Sequence, residues 1–283
     1  MNSVEILDGA MGSEFIRRGI SLSKHIWSAQ LNIDAQEIVY QIHKEYVDAG
    51  ANYLTTNTFR STPRSYIKTG LSVIDATNIA KSSLKNAVSL ANEASKDKCK
   101  ILGSIAPLED CYKPELFPSI DDAKKEFRQL GQWFNDKHID IYLIETMNSI
   151  IETKTCLEQI SNFNKPIWVS FVLKDSNHLL SGEELKDAIL MLDAFKVDCL
   201  LINCSPIDRT NDSLNHVSTL WNKKWGIYPN LGIGEPSPDG IITQTQPDQL
   251  YLNVVKNAID LGASFIGGCC GSTPRHINLL RNI

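Results

Sequence analysis

Three cysteines of this 283-residue chain stand where soft-metal chemistry would want them. Cys204 ends the apolar run that begins at Cys199, and Cys269 and Cys270 end the run that begins at Ser264. Thiolate is a donor that zinc prefers, at about 2.3 Å, and three protein ligands leave a fourth tetrahedral position for water or substrate. Neighbouring residues of a strand face opposite ways, so Cys269 and Cys270 can share one ion only where the chain bends. Gly267, Gly268 and Gly271 around them permit such a bend. Two carboxylates, Asp8 and Glu145, end other apolar runs, where they could bind a cationic amino group or act as acid and base. Asn57, Asn203 and Asn230 place amides at corresponding positions. Cys99, Cys156 and Cys199 read as packed thiols of the kind common in cores. Cys111, in the loop after the third strand, is read as background, and the six histidines show no HxH or HExxH spacing that would bind metal.

The elements that must bring these groups together alternate along the chain. Short β-branched runs predict eight strands: 4–8, 52–58, 100–106, 141–146, 166–171, 199–204, 224–230 and 264–269. Apolar residues three and four apart predict helices over 34–49, 76–94, 121–137, 149–160, 183–195 and 249–261. Asp121 and Ser181 are plausible caps, and Gly50 and Gly262 plausible stops. Strands alternating with helices imply parallel pairing through right-handed crossovers. Eight such units predict an α/β fold, a (β/α)₈ TIM barrel forming a single domain over 1–283. A doubly wound sheet would show GxGxxG after its first strand, where this chain reads Asp8-Gly9-Ala10-Met11-Gly12. In a barrel, the strand ends that carry the polar and thiol groups are the active face. The Pro/Gly-rich stretch 230–247 would then overhang that face, as a lid or as an ordinary surface loop.

Composition narrows the partners. A formal net charge of −5 disfavours nucleic acid, whose phosphates need a basic surface. No apolar run reaches the roughly 18 residues of a membrane span, and the N-terminus lacks a secretory pattern, so the expected location is the cytoplasm. Seven cysteines without a CxxC pair suit reduced thiols in a reducing compartment. The five tryptophans read as packing, with Trp27 alone placed where it could approach a bound ligand. Oligomeric state has no signature in the sequence.

Taken together, Leu7-Asp8-Gly9-Ala10-Met11, Thr56-Asn57-Thr58-Phe59, Ile144-Glu145-Thr146, Asn203-Cys204, Tyr228-Pro229-Asn230 and Gly267-Gly268-Cys269-Cys270-Gly271 resemble the homocysteine S-methyltransferase family, in family order along nearly the whole chain. The resemblance implies a barrel whose zinc is held by Cys204, Cys269 and Cys270, with the homocysteine thiol in the fourth position. It implies further that Asp8 and Glu145 hold the substrate's amino group and that the backbone near Gly9 and Ala10 receives its carboxylate. Relatives that use methylfolate or betaine carry extra domains or extensions, so the expected partners are a thiol acceptor and a small sulfonium donor, S-methylmethionine or S-adenosylmethionine. Two stretches at the barrel mouth depart from the sulfonium-using branch: 105–112 lacks a Gly-Pro-x-Gly turn, and Leu231-Gly232-Ile233-Gly234-Glu235-Pro236 replaces the usual run. Another thiol or a selenol such as selenocysteine is an alternative acceptor, and a non-catalytic zinc or thiol sensor is an alternative role.

Overall fold

The computed structural model describes residues 4–234 and 240–283. In chain order the elements are β1 (Glu5–Ile6), α1 (Gly12–Arg17), α2 (Leu31–Asp34), α3 (Gln36–Ala49), β2 (Tyr53–Thr55), α4 (Pro63–Ile67), α5 (Val73–Ser95), β3 (Lys100–Ile105), α6 (Ile120–Asn135) and β4 (Ile141–Met147). They continue through α7 (Ile150–Ile160), β5 (Ile167–Phe171), α8 (Leu185–Leu192), β6 (Val197–Pro206), α9 (Ile207–Leu220), β7 (Lys224–Asn230), α10 (Asp248–Asp260), β8 (Phe265–Ile266) and α11 (Pro274–Leu280). Every strand pair is parallel, in the order β1-β8-β7-β6-β5-β4-β3-β2. The ring closes between β1 and β2: Asn52 N–H donates to Ile6 O at 2.7 Å and Asp8 N–H to Tyr53 O at 3.1 Å. The fold is the expected single-domain (β/α)₈ barrel. Among the described residues no helix is long and apolar enough to cross a membrane.

Two layers of apolar side chains hold it. The outer layer joins helices to strands; the inner one fills the barrel with Leu7, Tyr53, Leu102, Ile141, Leu143, Trp168, Cys199, Leu201, Tyr228 and Phe265. Tyr53, Trp168 and Phe265 pack ring on ring, with centroids 4.3 to 5.6 Å apart. They lie near the starts of their strands and so form the floor of the barrel, opposite the end that carries the cysteines. Trp133, Trp168, Trp221 and Trp225 are all buried, as packing residues should be.

Three local readings are corrected. β1, β2 and β8 are only two or three residues long, because the chain leaves the ladder early to build the mouth. Helix α8 begins at Leu185, not Glu183, and Ser181 does not cap it. Glu183 instead accepts the Ile150 N–H at 2.7 Å and so serves the start of α7. Helix α9, absent from the pattern, buries Ile207, Thr210, Ser213, Leu214 and Val217. Its face is helical in spacing, but two of its members are polar. The Ser213 hydroxyl donates to Thr210 O at 2.8 Å, so its burial leaves no donor unsatisfied.

Strands β7 and β8 approach closely where Gly226 pairs with Phe265. A Cβ at Gly226 would overlap the Phe265 carbonyl and side chain, and backbone there has no room to yield. Gly226→Ala should therefore destabilise the fold by about 2 kcal/mol or more, measured by denaturant unfolding. An unchanged midpoint would show that the barrel wall relaxes freely.

Candidate active site

The cysteines come together because the backbone leaves regular strand geometry at their positions. In β6 the register with β7 shifts between Asn203 and Pro206, and Cys204 takes a left-handed conformation with φ +50°. The extra residue of this bulge turns the Cys204 side chain away from its strand alternation. On the other side of the mouth β8 has already ended at Ile266. Cys269 N–H still donates to Pro229 O at 2.8 Å, and Gly271 N–H to Ser13 Oγ at 3.0 Å, so the following turn is pinned to β7 and α1. Cys269 and Cys270 thus sit on a turn beyond β8 and not within it, which removes the strand-alternation problem.

The Sγ atoms of Cys204, Cys269 and Cys270 all lie within 4.8 Å of one another. Cys204 and Cys269 are joined as a disulfide, a correction to the expectation that all the thiols are reduced. The convergence that would surround an ion also puts these two sulfurs within bonding reach of each other. Cys270 stays free, with its Sγ 3.8 Å from that of Cys204. Two thiolates on one tetrahedral zinc, each at about 2.3 Å, stand about 3.8 Å apart, so this spacing suits the ion. Burial pushes the Cys270 thiol up to about 11, and the Glu145 carboxylate acts in the same direction. A metal ligand must be the thiolate, and a soft divalent cation would supply the charge that burial otherwise opposes.

Both predicted carboxylates are buried at the mouth. Asp8 receives two hydrogen bonds from Thr55, from N–H at 2.8 Å and from Oγ1 at 2.9 Å. Glu145 lies in a second bulge, where the β4–β5 register shifts between Ile144 and Met147 and Thr146 has φ +58°. The Ser104 hydroxyl donates to Glu145 Oε2 at 2.6 Å, and the Tyr228 hydroxyl to Oε1 at 3.3 Å. Desolvation raises the Asp8 carboxyl to about 8, with Glu145 adding to the shift, and raises Glu145 as well. Burial disfavours the charged form of both carboxyls, and a cationic partner would offset that cost.

The remaining predicted residues divide. Asn203 Nδ2 donates to Thr146 Oγ1 at 2.7 Å, while its buried Oδ1 has no partner among the described residues. Asn230 Oδ1 accepts the Gly232 N–H at 2.8 Å and so shapes the turn leaving β7. Asn57 has both amide hydrogens committed, to Ser28 O and Asn32 Oδ1, so it braces the loop after β1. Ala10 N–H donates to Ser272 Oγ at 3.0 Å, and Ala10 O accepts from the Tyr46 hydroxyl at 2.8 Å. A Cβ at Gly9 would meet Ser272 and Tyr46, so only glycine lets this loop approach them. Ser104, Ser170 and Ser272 were not singled out in the sequence, and Tyr228 stood out only as part of the Tyr228-Pro229-Asn230 motif, with no role. The two strand serines had a signal, a small polar residue in the middle of an apolar strand.

Both unusual loops lie where expected. In 105–112, Leu108 N–H donates to the buried Glu152 at 2.8 Å, Arg60 holds Pro107 O at 3.1 Å, and Asn148 holds Cys111 O at 3.0 Å. The loop is therefore tied down, and burial pushes the Cys111 thiol up to about 12. In 231–247, Leu231 N–H donates to Cys270 O at 2.8 Å and the arms pair through Gly232 and Thr245. Residues 235–239, the tip of the suggested lid, lie outside the described residues. Trp27 fits against Gly12 and Gly240, where a Cβ on either would strike its ring, so it stands between the loops after β1 and β7.

A (β/α)₈ barrel with three convergent cysteines and two buried carboxylates at its C-terminal mouth has the architecture of a barrel enzyme with a candidate metal site. The family model for homocysteine S-methyltransferase matches residues 5–283. The homocysteine S-methyltransferase of Escherichia coli (strain K12) is 27% identical, over 98% of this chain and 94% of its own length. A selenocysteine Se-methyltransferase of Brassica oleracea var. italica is 25% identical, over 97% and 87%. The crystal structure of the E. coli homocysteine methyltransferase MmuM in its metallated form superposes with a TM-score of 0.85 at 26% identity, covering 99% of this chain and 96% of that one. The chain belongs to the homocysteine S-methyltransferase family and is an enzyme of that type.

The buried Asp8 gives the site a pH signature. Its folded carboxyl sits near 8 against an ordinary 3.8, so above about pH 4 the unfolded chain releases a proton that the folded chain keeps. Without substrate, stability should thus fall as pH rises from about 4 to 8. Asp8→Asn should flatten this dependence in thermal unfolding between pH 5 and pH 8; an identical slope would mean that Asp8 is ionised in the free protein.

Proposed function

We propose that the enzyme transfers a methyl group from S-methylmethionine or S-adenosylmethionine to the sulfur of L-homocysteine, giving methionine. The observation that carries this reading is the convergence of three cysteine sulfurs at a barrel mouth that also holds two buried carboxylates. Reduced Cys204, Cys269 and Cys270 would hold zinc. When bound, zinc supplies a Lewis acid that lets an alkyl thiol of pKa about 8.5 give up its proton at neutral pH.

The chain's own residues supply binding and orientation. An ammonium group entering beside Asp8 and Glu145 would bring the counter-charge that burial denies them and favour their charged forms. Asn203 Oδ1 offers a further acceptor on the same side. The backbone near Gly9 and Ala10 would receive the substrate carboxylate through the Gly9 N–H, since the Ala10 N–H already donates to Ser272 Oγ. With the amino acid end fixed, the homocysteine sulfur is aligned with the donor methyl group. It forms the new S–CH₃ bond as the donor C–S bond breaks, and that electron pair returns to the donor sulfur. S-methylmethionine thereby leaves as methionine and S-adenosylmethionine as S-adenosylhomocysteine. The whole of residues 1–283 would act as one homocysteine-binding domain, in the reducing cytoplasm that keeps the three thiols available. A selenol acceptor is a second reading, carried by the similarity to the selenocysteine enzyme.

Protein kept reduced should form methionine from homocysteine with one of the two sulfonium donors. Cys270→Ala should lose both metal and turnover, and a fully active variant would sink the metal-site reading. Glu145→Gln should keep its metal while KM for homocysteine rises about tenfold, in line with a lost charged hydrogen bond. Unchanged saturation would remove Glu145 from the substrate site.

A further inference from the structure

Glu145 is served by a one-way chain of hydrogen bonds that runs across three strands. The Thr146 N–H donates to Ser170 Oγ at 2.9 Å. Ser170 Oγ is in turn 2.8 Å from the Tyr228 hydroxyl, which reaches Glu145 Oε1 at 3.3 Å. A carboxylate can only accept, so the phenol hydrogen is directed at Glu145, and the Ser170 hydrogen is the one left for the phenol oxygen. Ser104 covers the other carboxylate oxygen at 2.6 Å. Each oxygen so receives one donor from the barrel wall and keeps lone-pair capacity for a ligand. Tyr228 is buried on the barrel interior, and burial holds its phenol well above the usual range, so it remains a donor throughout.

We propose that Tyr228 is a positioning residue for the substrate's amino group, its hydroxyl aiming the Glu145 carboxylate. This inference rests on the homocysteine reading above. Asp8 has separate partners in Thr55, so loss of the Tyr228 hydroxyl weakens recognition of the ammonium without abolishing it. The left-handed Thr146 belongs to the same device, since it starts the chain that ends on the carboxylate of its neighbour.

Tyr228→Phe keeps the ring and removes only the hydroxyl. Binding of L-homocysteine and of 4-mercaptobutanoate, which lacks the amino group, would be measured by calorimetry on reduced, metal-bearing wild type and variant, with metal content read on each. The expected result is homocysteine binding weakened about tenfold, with 4-mercaptobutanoate affinity and metal content unchanged. Equal affinity for homocysteine in both proteins would overturn the proposal. Equal weakening of both ligands would overturn it too, by showing a general distortion of the mouth. If wild type binds 4-mercaptobutanoate and homocysteine alike, the assignment of Glu145 and Asp8 to an amino group falls, and this inference with it.

Discussion

Side chains of a regular strand alternate, and this constraint governs the whole mouth of the barrel. A cluster of three sulfurs cannot be assembled from two uninterrupted strands, so the chain breaks regularity at each point where chemistry is needed. Cys204 and Thr146 both adopt left-handed backbone, and both strands carry a register shift there. Such conformations cost about 1–2 kcal/mol each in residues that bear a Cβ. The surrounding hydrogen bonds hold them: Leu173 N–H donates to Ser205 Oγ at 2.9 Å beside one bulge, and Thr146 N–H to Ser170 beside the other. At the third point strand β8 simply stops, and its turn is fastened by Pro229, Ser13 and Leu231.

The two ends of the barrel accordingly do different work. The floor is an aromatic cluster of Tyr53, Trp168 and Phe265, apolar and well packed. The mouth buries carboxyls and thiols whose charged forms are disfavoured until a ligand or ion arrives. Tethers on the loop over 105–112 stiffen the rim, where Glu109 also bridges Arg64 and Lys68.

Much of this arrangement was legible in the residues alone. Alternating strands and helices gave away the barrel, and thiols and carboxylates at strand ends gave away its working face. The network behind them was not legible, because Ser104, Ser170 and Tyr228 meet only when β3, β5 and β7 curl into a ring. Asn57 was visible as a polar strand-end residue, but its commitment to Ser28 and Asn32 depends on the path of a loop. Helix α9 was hidden by hydroxyls on its buried face, since a count of apolar residues misses Thr210 and Ser213. The pairing of Cys204 with Cys269 follows from a proximity that sequence spacing does not encode.

All of these features lead to one claim, that the three convergent cysteines are a metal site. Metal content per chain, determined on untagged protein purified under reducing conditions, tests it most directly. The account predicts about one zinc per chain, with Cys204, Cys269 and Cys270 protected from thiol reagents. No bound metal, together with all seven cysteines titrating as free thiols, would contradict it.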